Sequence, residues 1–314
     1  LTYVAGTTQS GTETFIYQIC DKANPTVCDT ALVTLKIESP LSFLPKVYLQ
    51  GALYSVTYSD SPTNTVVDSL MRDDLRVKGL IPLTSPYTAW SPTITTSTLA
   101  SSVLALTGRN AIVDWVFVEL RNAANSSQVV ISQAALVQRD GDVVALDGIS
   151  PLELIALNNT TYYVAIRHRN HLGVMTSTAI PITTSGTVVD FRKPSTATYV
   201  IAAQAVHQSQ VNVIQGKALW AGNALPDNKV VYQGTGNDPE VIRMKIMSAP
   251  GNQTLQLPFY QLSGYYVEDV DMNGTVIYAG TGNDLEFIYQ NIIKNHTGNT
   301  LLQNNFIIQQ QLPN

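Results

Sequence analysis

Charge is what this 314-residue chain has least of: Lys, Arg, Asp and Glu make up 13% of it, against roughly 25% in an average soluble protein. The formal net charge is −5 and Lys and Arg form no cluster. A nucleic-acid partner is therefore not expected, because phosphate binding needs a basic face. No apolar run approaches the roughly 20 residues that span a bilayer as a helix, so no transmembrane segment is expected. Chemical signatures are missing as well. The chain has no Gly-x-Ser-x-Gly elbow, no glycine-rich phosphate loop and no zinc-protease motif, and it reads as a non-enzyme. It starts at Leu1 inside a strand-like pattern, with no signal peptide, and we read it as a piece of something larger.

Cysteine is nearly absent, with Cys20 and Cys28 alone. They flank a turn-rich link between two alternating runs, Phe15/Tyr17/Ile19 and Val33/Leu35/Ile37, and have the opposite parity to both. Polarity here comes from Thr, Ser, Asn and Gln, the palette of secreted β-proteins. A disulfide across a hairpin neck is the favoured reading; two free thiols in a reducing compartment is the alternative that spacing leaves open.

The length suits two or three domains. Residues 1–40 supply three short strand patterns where a β-sandwich needs about seven, so they read as the C-terminal part of a repeat. Residues 40–45, Pro-Leu-Ser-Phe-Leu-Pro, read as a linker. Residues 46–185 predict a mostly antiparallel β-sandwich, with strands at Lys46–Leu53, Ile112–Leu120, Val129–Gln138, Val143–Leu146 and Tyr162–Arg167 and a core around Trp115 and Phe117. Residues 186–215 read as a connector that contributes strands of its own. The fold class is mainly β, followed by a small α+β module at 216–314.

That last module says the same thing twice. Asn228 to Asp238 recurs as Gly274 to Asp284, a spacing of 46 residues, and each copy runs into a helical pattern closed by Gly-Asn, at Gly251-Asn252 and Gly298-Asn299. In the second copy Leu285, Ile288, Tyr289, Ile292 and Ile293 form one apolar stripe; in the first, Pro239, Ile242, Ile246 and Met247 play that part, with Asp238 as N-cap and Pro239 first in the helix. The two stripes are expected to pack together.

Before the second copy stands Asp269-Val270-Asp271-Met272-Asn273-Gly274. Oxygen side chains at alternate positions before a glycine curl around Ca²⁺. Asp269, Asp271 and Asn273 take positions 1, 3 and 5, the carbonyl of Thr275 takes position 7, and Asp284 supplies the carboxylate that position 12, Gly280, lacks. The alternative is a β-hairpin turning at Asn273-Gly274 between Val270/Met272 and Val276/Tyr278. In the first copy the weaker ligand set is Asn223, Asp227 and Asp238, or else a pseudo-repeat without an ion that packs through Trp220 and Tyr232. His168 and His171, three apart on an expected strand, should face opposite ways, as structural histidines without a zinc ligand set.

Three resemblances follow from these strings. Gly11 to Asp21 with Asp29 to Leu35 resembles the closing strands of cadherin-like or immunoglobulin-like repeats in bacterial adhesins. The duplicated loop and helix resembles dockerin modules, which implies one or two calcium ions and a protein partner. Arg167 to Met175, with Asp114 to Arg121 and Leu136 to Asp142, resembles a module near the ends of large surface proteins of Bacteroidota exported by the type 9 pathway. These imply an extracellular adhesin at the cell surface. Its C-terminal strand, Asn305 to Asn314, is expected to add to the sheet edge or plug the mouth of an outer-membrane β-barrel for export or anchoring. They also imply O-glycans on Thr30 and Ser69, within Asp-Thr-Ala and Asp-Ser-Leu. The other function class is a non-catalytic appendage of a secreted glycan-active enzyme, its sandwich binding surface carbohydrate.

Overall fold

The computed structural model describes residues 11–37, 40–53, 70–90, 97–154, 161–201, 208–214 and 216–313. Of the expected sites, Ser69 lies outside them, as does the first strand pattern of residues 1–10.

The chain opens with a hairpin, β1 (Gly11–Cys20) against β2 (Cys28–Ile37), in uninterrupted antiparallel register. Phe15 faces Val33 and Cys20 faces Cys28, and the two cysteines form a disulfide. Alternation puts Phe15 on one face and the cysteines, Ile16 and Leu32 on the other, as parity requires. Among the described side chains of this hairpin none belongs to the apolar core, which starts at Leu41, and Ile16 is 70% exposed.

Next comes β3 (Leu41–Lys46), the segment expected to be a linker. Its alternating apolar side chains point inward, Phe43 fully buried, so it is a strand of the sandwich and not a tether. Lys46–Leu53, expected to be the first strand, instead leaves β3 and winds into a 3-10 turn at Gln50–Ala52. After the single helical turn α1 (Asp74–Val77) come β4 (Ile112–Asn122), β5 (Asn125–Gln138), β6 (Val143–Val144), β7 (Leu152–Leu154), β8 (Thr161–Arg167), β9 (Val174–Met175), β10 (Ile180–Pro181) and β11 (Thr187–Asp190). One sheet runs β10-β8-β4-β5-β6, with β9 also on β8; the other runs β11-β3-β7. All pairs are antiparallel except β3 with β11. The protein is thus mainly β, with several sheets, consistent with a β-sandwich. β4 lies between β5 and β8 and is buried along almost its whole length, including Trp115, Phe117 and the charged Asp114 and Glu119. Glu119 is matched by Arg121 (2.7 Å) and Arg167 (3.1 Å), as a buried carboxylate must be.

The C-terminal third contains β12 (Val211–Val213), β13 (Gly216–Ala218), β14 (Lys229–Val231), α2 (Asp238–Met247), β15 (Gln261–Ser263), β16 (Thr275–Ile277), α3 (Asp284–Gln290) and β17 (Ile307–Gln309). β12 pairs with β13, β14 with β17, and β15 with β16. Two expectations are corrected here. Asn237, not Asp238, is the N-cap of α2: its side chain accepts from the Glu240 amide (2.9 Å), which moves Asp238 and Pro239 one position into the helix. The terminal strand is also not free. β17 is paired with β14, Gln310 to Leu312 are buried, and Arg121 donates to the carbonyl of Pro313 (2.9 Å).

One apolar cluster runs from Leu41 to Ile308, taking in Trp115, Trp220, Ile246 and Ile292, so the duplicated region shares its core with the sandwich. Polar bonds rivet the same contact. Gln50 and the fully buried Asn291 exchange two side-chain hydrogen bonds (2.6 and 2.9 Å), and Asn291 also donates to the carbonyl of Ala221 (2.8 Å). Gly51 sits where a Cβ would lie 2.3 Å from the carbonyl of Val270. Gly51→Ala should therefore force the Val270 loop off the sandwich and cost about 1–3 kcal/mol by urea denaturation; an unchanged midpoint would show that this contact is not maintained in solution. Replacing Cys20 and Cys28 by Ser should act elsewhere. Amide exchange protection in β1 and β2 should fall by the equivalent of about 2–3 kcal/mol, while the unfolding midpoint of the rest is unmoved.

Candidate metal centre

From the turn to Ile246 and Ile292 the two copies coincide residue by residue. Asn237 and Asn283 each cap a helix, accepting from Glu240 and Glu286 amides (2.9 Å each), while their Nδ2 donates to Gly234 and Gly280 carbonyls (2.8 and 2.7 Å). With the caps supplied by Asn, the following Asp is free to turn inward. Asp238 accepts from the amides of Leu225 (2.9 Å) and Val231 (2.7 Å); Asp284 accepts from those of Val270 and Ile277 (2.8 Å each). At the far end, Asn252 and Asn299 close the loops by donating to Ile246 and Ile292 carbonyls (3.0 and 2.8 Å). The second copy holds one residue more between these points, and there the helix widens into a π-turn, Asn291–Asn295. A π-turn is how a helix absorbs a single insertion.

The loop before the second copy is not a hairpin. β16 pairs with β15, while Asp269 to Asn273 form no strand. Met272 (φ 57°) and Gly274 (φ 82°) take left-handed conformations that curl the loop. Carboxylate oxygens of Asp269, Asp271 and Asp284 lie within 4.8 Å of one another. Asp269 accepts from the amides of Asn273 (3.0 Å) and Gly274 (2.8 Å), Asp271 from the amide and the Nδ2 of Asn273 (3.1 and 2.8 Å). Asn273 Oδ1 is buried without a partner. Thr275, expected to offer its carbonyl, opens β16 opposite Ser263, and its hydroxyl accepts from Lys78 (3.3 Å).

The sandwich frames this loop with residues that sequence reasoning did not assign to it. Arg72 donates to the carbonyl of Asp271, Lys78 to that of Asn273, Arg169 to that of Tyr266, and Asn170 to those of Val267 (3.2 Å) and Asp269 (2.7 Å). Nothing in the sequence links Arg72 to residue 271; the string from Arg167 to His171 was distinctive but carried no sign of its destination. These cations moderate the cluster without neutralising it. Burial, then the charge of Asp271, pushes Asp269 up to about 7 despite Arg169. Burial raises Asp271 against the pull of Arg72, and burial with both neighbouring carboxylates raises Asp284 well above the ordinary range.

The first copy gathers no such cluster. Leu225 stands where Asp271 does, and Asp227 accepts from the amide of Lys229 (3.0 Å). The amide of Asn223, oriented to donate, satisfies the carbonyls of Lys229 (2.9 Å) and Leu225 (2.7 Å), so it offers no oxygen to an ion. Asn228 (φ 68°) makes the turn that Gly274 makes in the second copy. Thr30 is exposed on β2, opposite Gln18. Comparison with protein-family models, with curated proteins and with solved structures finds no match.

Burial, and secondarily the charge of Asp227, pushes Asp238 up to about 8. A raised carboxyl stabilises the fold below its unfolded value and loses that contribution as pH rises through the folded one. The stability of the intact chain relative to Asp238→Asn should therefore decline between about pH 4 and 8; parallel urea midpoints across that range would mean that Asp238 is ionised throughout.

Proposed function

We propose that the chain is a non-enzymatic segment of an extracellular adhesin whose duplicated region is a dockerin-like module stiffened by one calcium ion. The observation that carries this reading is the gathering of three carboxylates where the loop meets α3, Asp269 and Asp284 buried and Asp271 half-buried, with a buried amide oxygen of Asn273 left unpaired. Three carboxylates this close repel one another, and hard oxygen donors alone suit Ca²⁺. Asp269, Asp271, Asp284 and Asn273 are the ligands; the first copy keeps the turn, the capped helix and the inward Asp while lacking the clustered acids. The ion would neutralise the loop on which Arg72, Arg169 and Asn170 close, and so fasten the module to the sandwich. An outer-membrane export or anchoring protein remains the proposed partner, engaged through the module's surface, since β17 is already paired within the chain.

The carbohydrate-binding reading has less to support it. The sandwich carries a groove of about 600 Å³ lined by Ser132, Gln133, Asp147, Ser150 and Glu153. Among the described lining residues no aromatic ring offers a sugar a stacking platform.

The test is the thermal midpoint of the intact chain in calcium and in chelator. Calcium at a hundredfold excess over its dissociation constant should add about 2.7 kcal/mol, Mg²⁺ should substitute poorly because it demands a tighter octahedral shell, and Asp271→Ala should abolish the gain. Equal midpoints in both buffers, with Asp271→Ala silent, would leave the carboxylates as a hydrogen-bonding device only.

A further inference from the structure

Where β8 ends at Arg167 the chain turns, and the alternation expected to part His168 from His171 stops with it. The two rings meet edge to face, 4.8 Å between centroids, both about 1% exposed. Their Nδ1 atoms are 3.0 Å apart. His168 Nε2 is 3.1 Å from Asp114 Oδ2, His171 Nε2 is 3.0 Å from the amide of Gly51, and His171 Nδ1 is 2.8 Å from Asn170 Oδ1.

Only one placement of protons satisfies all four contacts. The Gly51 amide can only donate, so His171 Nε2 is bare and its proton sits on Nδ1. That proton points to Asn170 Oδ1 and His168 Nδ1. Asn170 Oδ1 is an acceptor because the Nδ2 of the same amide donates to Val267 and Asp269 carbonyls. His168 Nδ1 is then bare as well, and its Nε2–H donates to Asp114. Both rings are neutral, and a further proton has two places to go: His171 Nε2, against the Gly51 N–H, or His168 Nδ1, against the His171 N–H. Either sets donor against donor inside a packed core.

The position of this pair gives the chemistry a consequence. Gly51 belongs to the turn that bears on Val270, Leu172 donates its amide to the carbonyl of Trp220 (2.9 Å), and the backbone of His171 bridges to Ala221. The pair thus sits in the seam between the sandwich and the duplicated region. A cavity of about 90 Å³, bordered by both rings with Trp90, Arg167, Asn228 and Gln310, adjoins it. That is room for roughly three waters, through which protons can arrive.

We propose that the His168–His171 pair is an acid-sensitive latch, whose protonation opens the seam between the sandwich and the duplicated region. The surroundings oppose charging of the rings. Arg169, bonded to Asp114 (3.0 Å), already neutralises the carboxylate that His168 meets, and Arg167, which borders the cavity, is itself paired with Glu119 (3.1 Å). Tyr265, which donates to Asp114, and Tyr87, which donates to the carbonyl of Trp115, are raised by burial and stay neutral. Burial lowers both histidines, His171 the further because His168 and Arg169 repel its charge. A base depressed on folding leaves the unfolded chain binding more protons, so the stability is present above the ordinary histidine value of 6.5 and is lost as pH falls below it. Asp114, itself lowered, acts only below the ordinary aspartate range. The carboxyls of Asp269, Asp271 and Asp284 are common to parent and variant, so their contribution cancels when the two pH profiles are compared.

The experiment compares the intact chain with His171→Gln, whose Oε1 can accept from the Gly51 amide but cannot titrate, in calcium-containing buffer from pH 8 to 4.5. The unfolding constant of the parent should rise by up to about tenfold per pH unit per histidine below 6.5, and that of the variant should rise less by up to one such factor. Protection of the Gly51 and Leu172 amides in the parent, corrected for intrinsic exchange, should fall before that of β4. Parallel profiles for parent and variant, or amides in the seam that lose protection no sooner than β4, would overturn the proposal. Should the variant fail to fold, ring ¹⁵N shifts of the parent decide: Nδ1–H on His171 and a neutral pair down to pH 5.5 support the latch, whereas Nε2–H or titration near 6.5 in the folded state refutes it.

Discussion

The structure depends on how a sandwich can accept a polar loop against its core without leaving charges unmatched. Asp114 solves this from the middle of β4. It is fully buried, and it accepts from Arg169 (3.0 Å), His168 (3.1 Å) and the hydroxyl of Tyr265 (2.7 Å). Arg169 then stacks on the Tyr265 ring, 4.3 Å from its centroid, and reaches the carbonyl of Tyr266. A lone carboxylate at this depth would cost several kcal/mol; with its partners it fixes where the loop from Tyr265 to Asp271 lies. Asn170, one residue on, holds two carbonyls of that loop. The sandwich therefore recognises the loop through its backbone, which leaves the loop's carboxylates free to face one another.

That freedom separates the two copies. Both place a capped helix after a left-handed turn, and both aim a buried Asp back at two amides of the preceding segment. In the first copy the arrangement is complete with hydrogen bonds, since Leu225 fills the place of an acid and Asn223 donates to carbonyls. The inward Asp is thus a structural element of the repeat, and Asp284 needs no ion to explain its position. What the first copy does not explain is Asp269 and Asp271, with Asn273 Oδ1 buried and unpaired. The calcium proposal rests on these residues.

Much of this was legible in the sequence because it is local. Parity placed Cys20 and Cys28 side by side, the Gly-Thr-Gly-Asn-Asp strings marked both helix starts, and the stripe through Ile288 and Ile292 found its buried face. The failures share another cause. Pro40 and Pro45 suggested a tether, yet Pro45 lies beyond the reach of β7, where a strand loses nothing by lacking an N–H. The histidines were assigned to opposite faces because the end of β8 depends on Gly51 and Trp220, both of which lie far from it in sequence. The cations on the acidic loop come from residues 72 and 169, whose contact with residues 266–271 is set by topology alone. The apolar-then-amide tail was read as a strand for another protein, and its own chain supplies the partner.

The same reasoning explains why the duplication is asymmetric at its ends. A perfect repeat would present two equivalent helices, but here it is the turn after α3 that meets Gln50, through Asn291. The extra residue in the second copy falls in the span from Ile292 to Asn299, and the widened turn that absorbs it begins at Asn291. Its side chain closes a ring of hydrogen bonds with Gln50 and Ala221, and Asn295 supports it from one turn on (2.8 Å). Lys245, the counterpart of Asn291 in the first copy, instead lies over the ring of Tyr266, 4.0 Å from its centroid. One copy has kept the carboxylates and gained the turn that joins the sandwich, while the other spans from β14 to the loop that the sandwich holds. Each thus braces the acidic segment from a different side, a division of roles that a symmetric pair could not make.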